Sequence, residues 1–298
     1  MIHSLSEILP RIQSILETLP PQEQDKTTRP LVFLDIDYTL TYPLIDQKPE
    51  ALRSHLRRIL CGELGFYLQV APEDPLVMET LYCLFDNRKE DKGLKKIKQL
   101  YALDQEAVAQ KLLESLSFAF ISFYAQDLTE PIGPSVLQDI QRAGFPCYGF
   151  TALSAAPLGD CPSLSTWRLE WLNKLGFHFS PSPQVQEKEI FPKNFSQRSA
   201  FREGVIFSGG EDRGRQKGAV LKALLKHRCL LPGGDLPTII FMVDDNKKNF
   251  SSLIEAAREY NIPFEALLYA GDKATCDRDE AYLKLVFSQL VQEFHERT

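Results

Sequence analysis

The 298-residue sequence has no CxxC pair, no Cys/His cluster at zinc-ligand spacing, no internal repeat and no low-complexity tract. Its six cysteines, Cys61, Cys83, Cys147, Cys161, Cys229 and Cys276, stand apart from one another. That spread excludes a zinc module or a redox dithiol legible from spacing, and it reads as thiols of a reducing compartment, with the cytoplasm as the expected location. Long apolar runs are also missing. The opening stretch "MIHSLSEILPRIQSILETLPP" comes nearest, but Glu7, Arg11 and Glu17 interrupt it. It therefore fails as a signal peptide or a membrane span, and no membrane partner is expected. Its apolar residues at 5, 8, 9, 12, 15, 16 and 19 fall instead at helical spacing, which predicts an amphipathic helix leaning on a core. An excess of positive charge is the third absence. A formal net charge of −6 argues against nucleic-acid binding by bulk charge, and no nucleic-acid partner is expected.

What is present is an ordinary globular mixture, 44% hydrophobic and 25% charged, in a chain long enough for one large domain or a core carrying an insertion. Strand-like runs occur at Leu31–Leu34, in "PCYGFTALS", in "GVIFSGG", in "PTIIFMVDD" and in "FEALLYAGD". Helical patterns separate the later ones: "PSVLQDIQRAG" closing on Gly144, "SLSTWRLEWLNKLG", "KGAVLKALLKHRCL" and "NKKNFSSLIEAAREYN". Alternation of this kind predicts an α/β fold, a Rossmann-like parallel sheet with helices on both faces. Residues 44–130 do not alternate. "EALRSHLRRILCGELG", "LVMETLYCLF" and "DQEAVAQKLLESLSFAFISFYAQ" read as helices, the last capped by Asp104, which makes a helical cap inserted between the first and second strands. The expected division is 1–30 for an N-terminal helix and linker, 31–43 with 131–298 for the core, and 44–130 for the insertion.

In parallel α/β sheets the ligand site lies beyond the carboxyl ends of the strands, and every polar cluster of this sequence falls there. In "LVFLDIDYTLTYP" the apolar run ends directly in Asp35, with Asp37 two residues on. Two anionic carboxylates so close repel unless a cation sits between them, and a hard divalent ion, Mg²⁺ by default, suits carboxylates beside a phosphate. Asp244 and Asp245 end another strand. Four carboxylates also call for a lysine, and Lys217 opens the helix after the third strand. Thr151 ends the second strand and offers its hydroxyl, together with the backbone N–H groups of the turn that begins at Ala152. A small anion held by Lys217, Thr151 and those amides, with metal on its other side, makes a phosphoryl site. A carboxylate there can attack phosphorus, and a second can protonate the leaving group and then activate water.

The set Asp35-Ile36-Asp37-Tyr38-Thr39, Thr151, Lys217 and Asp244-Asp245 resembles the four motifs of the haloacid dehalogenase (HAD) superfamily, in order and at the strand ends. The resemblance covers residues 31–43 and 133–272. It implies that Asp35 is nucleophile and metal ligand, and that Asp37 is acid/base with its carbonyl a further ligand. It also implies that Thr151, Ala152 and Lys217 hold phosphate and that Asp244, supported by Asp245, binds Mg²⁺. The DxDxT form points to phosphatases, and the expected activity is Mg²⁺-dependent hydrolysis of a small phosphorylated metabolite through an aspartyl-phosphate. Two alternatives stand beside it: a binding or regulatory protein with negligible turnover, and a phosphotransferase. "YGFTALS" has no arginine near Thr151, so substrate recognition is expected to differ from relatives that carry one. "GGEDRGRQK" fails as a phosphate loop, because Arg215-Gln216 follow where Lys-Ser/Thr is required. The cationic runs "RSHLRR" and "NRKEDKGLKKIKQL" read as solvated helix faces, "FAFISFY" as core, and Trp167 with Trp171 as packed against the sheet.

Overall fold

Four consecutive apolar residues leading into an acid can lie in a sheet only if both faces of that sheet are covered. The computed structural model, which describes residues 1–18, 29–45, 49–85, 92–159, 161–181, 191, 199–209, 215–231, 234–271 and 273–296, shows this arrangement. The strands are β1 (Pro30–Leu34), β2 (Thr41–Pro43), β3 (Gln126–Leu128), β4 (Cys147–Thr151), β5 (Ala200–Arg202), β6 (Val205–Phe207), β7 (Ile239–Asp244) and β8 (Phe264–Leu268). Six of them form one sheet in the order β5-β6-β4-β1-β7-β8, while β2 and β3 make a separate ribbon. The central strand β1 runs parallel to β4 and to β7, and the outer pairs β4–β6 and β7–β8 are parallel too. The fold is α/β and Rossmann-like. The sheet is mixed, however, and not wholly parallel as the alternation suggested: β5 pairs antiparallel to β6 at one edge. β5 ends in Arg202 and has no apolar run that would mark a strand.

The helices are α1 (Ile8–Thr18), α2 (Pro49–Leu68), α3 (Pro75–Phe85), α4 (Lys92–Tyr101), α5 (Gln105–Phe123), α6 (Gly133–Arg142), α7 (Leu164–Lys174), α8 (Arg215–Lys226), α9 (Phe250–Arg258) and α10 (Lys273–Glu296). Side chains alternate across a strand, so Leu31, Phe33, Tyr148, Phe150, Ile240 and Met242 share one face. They pack with Val220, Leu221 and Leu224 of α8 and Leu253, Ala256 and Ala257 of α9. The intervening Val32, Leu34, Phe241 and Val243 are buried as well. Helices α8 and α9 approach closely because Gly218 has no side chain. A Cβ there would lie 2.5 Å from the Ser252 carbonyl oxygen. Ser4 opens the short turn before α1 with a reciprocal cap to Glu7, and Leu5, Ile8 and Ile12 supply its buried face.

The chain divides into two compact units. The first comprises Met1–Tyr42, Gln126–Ala156 and Ser163–Cys276 and holds the sheet. The second comprises Pro43–Ala125, Pro157–Pro162 and Asp277–Thr298, with α2 to α5 at its centre. In that second unit α2 packs along α5, whose N-terminus is capped by Asp104 accepting from Ala107 N–H at 2.8 Å. Phe118, Phe120 and Tyr124 are core residues there. Helix α4 buries Leu94 and Ile97 and turns Lys95 and Lys98 outward, so its basic residues form a solvated face. Among the described residues no helix is long and apolar enough to cross a membrane.

Candidate active site

Because β4, β1 and β7 are adjacent and parallel, their carboxyl ends emerge at one edge of the sheet, and Thr151, Asp35 and Asp244 emerge with them. The Asp35 N–H still bonds the Val243 carbonyl at 2.8 Å, which fixes the first acid to the end of β7. The chain then turns sharply. The Ile36 carbonyl accepts from Leu40 N–H and Thr41 N–H at 2.9 and 3.0 Å, and Tyr38 N–H donates to the Thr41 carbonyl at 2.7 Å. Tyr38 takes φ +59°, in the left-handed region, a conformation costing a residue with a Cβ about 1–2 kcal/mol. The turn's hydrogen bonds hold it there and bring Asp37 back over the strand ends. Thr39 is fully buried and ties the two acidic loops together. Its hydroxyl accepts the Asp245 N–H at 3.2 Å, while its carbonyl accepts the Thr129 hydroxyl at 2.7 Å.

Lys217 enters this cluster from the first turn of α8. Its side chain is 2% exposed, and Nζ donates to Asp35 Oδ1 at 2.5 Å and to Asp244 Oδ2 at 2.8 Å. Asp244 is fully buried and further secured by Asn246 N–H at 2.8 Å and by the Asn249 amide at 2.9 and 3.0 Å. Burial disfavours the charged form of Lys217, but Asp244 and Asp35 outweigh it, so the ammonium is held well above its ordinary range. Burial and the neighbouring Asp244 drive Asp35 the other way for a carboxyl, well above its usual range. Burial and Asp244 likewise push Asp245 up to about 7. In both, burial is the larger cause and the neighbouring carboxylates add to it. Asp35, Asp244 and Asp245 each offer a carboxylate oxygen within 4.8 Å of the others. Their donors are all hard oxygens, the ligand chemistry of a hard divalent cation.

Asp37 has a cation of its own. Arg168, on α7 and without exposed surface, donates from one terminal nitrogen to Asp37 Oδ1. The Thr151 hydroxyl donates to the other oxygen, Oδ2, at 3.0 Å, and itself accepts the Leu153 N–H at 3.0 Å. With Lys217 and Arg168 counted against the four aspartates, the cluster carries a formal charge of minus two, which one divalent cation closes.

The structure thus brings together Asp35, Asp37, Thr151, Lys217, Asp244 and Asp245, and places Ala152 in the turn directly after Thr151. Thr151 spends its proton on Asp37 here, where the sequence assigned it to phosphate. Arg168 and Asn249 were not anticipated. The arginine that does reach the site comes from α7 and bonds Asp37. Trp167 and Trp171, expected to pack against the sheet, are half-buried; the buried residues of α7 are Leu164, Ser165, Arg168, Leu169 and Leu172. Most of the "GGEDRGRQK" loop, from 210 to 214, lies outside the described residues, as does 20–28 of the linker.

A family model described as "Protein of unknown function (DUF2608)" matches residues 78–293, and the chain belongs to that family. This overturns the membership that the four motifs suggested, because the matching model is not one of the HAD superfamily. No curated protein and no solved structure matches the chain.

Proposed function

We propose that the protein is a divalent-metal-dependent phosphomonoester hydrolase working through an aspartyl-phosphate on Asp35. One observation carries the reading: a buried lysine shared by Asp35 and Asp244 inside a carboxylate triad, at the carboxyl edge of a parallel sheet. A structural ion pair needs one carboxylate per cation. Three carboxylates around one lysine need a further cation, and they suit a site whose incoming group is itself anionic and metal-bound.

In this reading Asp35 attacks phosphorus, displacing the alcohol, and Lys217 stabilises charge on the transferring oxygens. Asp37 gives a proton to the leaving oxygen and later takes one from the water that cleaves the acyl phosphate. Asn249 and the Asn246 N–H keep Asp244 in place. Mg²⁺ held by Asp35, Asp244 and Asp245 would neutralise phosphate charge and align the ester. Asp35 is only 6% exposed, which favours the slim end of a small phosphorylated metabolite over a phosphorylated protein surface.

The test is phosphate release from a panel of small phosphomonoesters, with Mg²⁺ and with EDTA, combined with rapid-quench trapping of labelled phosphoenzyme. Release should require the metal, and Asp35→Asn should trap no label. Undiminished release in EDTA, or a labelled Asp35→Asn protein, refutes the mechanism.

A further inference from the structure

Resting on the hydrolase reading above, we infer that Arg168 is the positioning residue of the acid/base Asp37, and that it assigns the transferable proton to Asp37 Oδ2. The guanidinium is anchored at two places. One terminal nitrogen holds Asp37 Oδ1, and the other donates to the Thr41 hydroxyl at 3.1 Å and to Gln126 Oε1 at 3.2 Å. Its cation also lies 4.8 Å from the Trp167 ring centre. Thr41 and Gln126 are both buried, and they sit on β2 and β3, so the ribbon outside the main sheet serves as the bracket for the arginine.

Position 168 belongs to the apolar stripe of α7 with Leu164 and Leu172. A leucine there would fill the space without desolvating a charge. A buried ion pair is often no more stabilising than apolar packing of the same volume. The arginine therefore adds something that packing does not, and what it touches is the carboxylate two residues beyond the nucleophile. Asp37 keeps a side-chain exposure of 20%, against none for Arg168, so the pair is buried at the guanidinium end and open at the carboxylate end. With Oδ1 taken by a cation that has no proton to lose, a proton in transit resides on Oδ2. There the Thr151 hydroxyl is the partner and can reverse its bond, accepting from protonated Asp37 and donating to the anion.

The experiment compares kcat and KM for the wild type, Arg168→Lys, Arg168→Met, Asp37→Asn and the Asp37→Asn/Arg168→Met double variant, all with Mg²⁺. One substrate is an alkyl phosphate with a poor leaving group and the other is p-nitrophenyl phosphate. General acid–base catalysis contributes about 10²–10⁴-fold, chiefly for poor leaving groups. Arg168→Met should lose about 10²-fold or more in kcat on the alkyl ester and under about 10-fold on the aryl ester, with KM nearly unchanged. Arg168→Lys, which keeps the charge but not the fork, should recover part of the loss, and the double variant should be no worse than Asp37→Asn. Should Arg168→Met not fold, Thr41→Val removes one anchor of the guanidinium and should show the same leaving-group selectivity at smaller size. Equal losses on both esters, or a double variant losing the product of the two single effects, overturn the inference while the hydrolase reading stands. A wild type inert on both esters overturns the hydrolase reading and this inference with it.

Discussion

Replacing Lys217 with methionine keeps the length of the side chain and removes its charge, which isolates the electrostatic role of the lysine. Nζ bonds Asp35 at 2.5 Å and Asp244 at 2.8 Å, and all three groups are buried. Removing one partner of a buried pair typically costs about 3–5 kcal/mol, because the remaining charge is left uncompensated. For a fold of this size each kcal/mol shifts Tm by about 2–4 °C, so the metal-free variant should melt roughly 6–20 °C lower. The dependence on pH has a definite sign. Lys217 is held above its ordinary range, so its contribution is intact at every pH below that range and none of it is lost between pH 5 and 8. Asp35 and Asp245 are raised, so ionising them penalises the folded state as pH rises above about 4, for Asp245 through about 7. Without the lysine that penalty grows, and the gap between wild type and Lys217→Met should be wider at pH 8 than at pH 5. Thermal melts in EDTA at both pH values measure it. A gap under about 1 °C, or one independent of pH, would falsify the view that Lys217 offsets the carboxylate cluster.

Three further outcomes are expected. Mg²⁺ at about one hundred times its dissociation constant should stabilise the protein by about 2.7 kcal/mol, with a larger Tm rise at pH 8 than at pH 5 and reversal by EDTA; a melt indifferent to Mg²⁺ refutes the metal site. Asp37→Asn should lose about 10²–10⁴-fold on alkyl phosphates and much less on aryl phosphates, and steady-state assays showing wild-type rates on alkyl esters would remove Asp37 from the chemistry. Gly218→Ala puts a methyl 2.5 Å from the Ser252 carbonyl oxygen, so despite the better helix propensity of alanine it should cost about 1–3 kcal/mol in a denaturant titration, and unchanged stability would show that α8 and α9 are free to separate.

The strands that the sequence revealed, β1, β4, β6, β7 and β8, each carry a run of apolar residues. β1, β4 and β7 carry five or six consecutive buried residues, and in each case the polar residue ending the run marks the strand end. β5 (Ala200–Arg202) and the ribbon strands β2 (Thr41–Pro43) and β3 (Gln126–Leu128) hold no continuous apolar run, unlike the equally short β6, and so cannot be told from loop. Their pairing is decided by tertiary neighbours: β5 forms because the β6 edge next to it needs partners for its backbone groups. The N-terminal helix was legible from its apolar face, whereas the bridge between Ile2 and Tyr269 that brings the start of the chain to the edge of β8 was not.

At the site the acids were legible because an aspartate at the end of a buried run is expensive unless something uses it, and the same cost required a cation, which Lys217 supplies. The four motifs named residues that the fold brings together, but not the family, since the one that matches is a different one. Arg168 escaped because an arginine on an amphipathic helix is ordinarily read as facing water. Its register says otherwise: Leu164, Arg168 and Leu172 repeat every four residues, and the two leucines are nearly fully buried. An arginine cannot lose its proton under biological conditions, so one set within an apolar stripe must meet an anion there. Lys217 bonds Asp35 and Asp244, and the carboxylate that Arg168 meets is that of Asp37. That contact links a helix register in one part of the chain to an acidic turn 131 residues away.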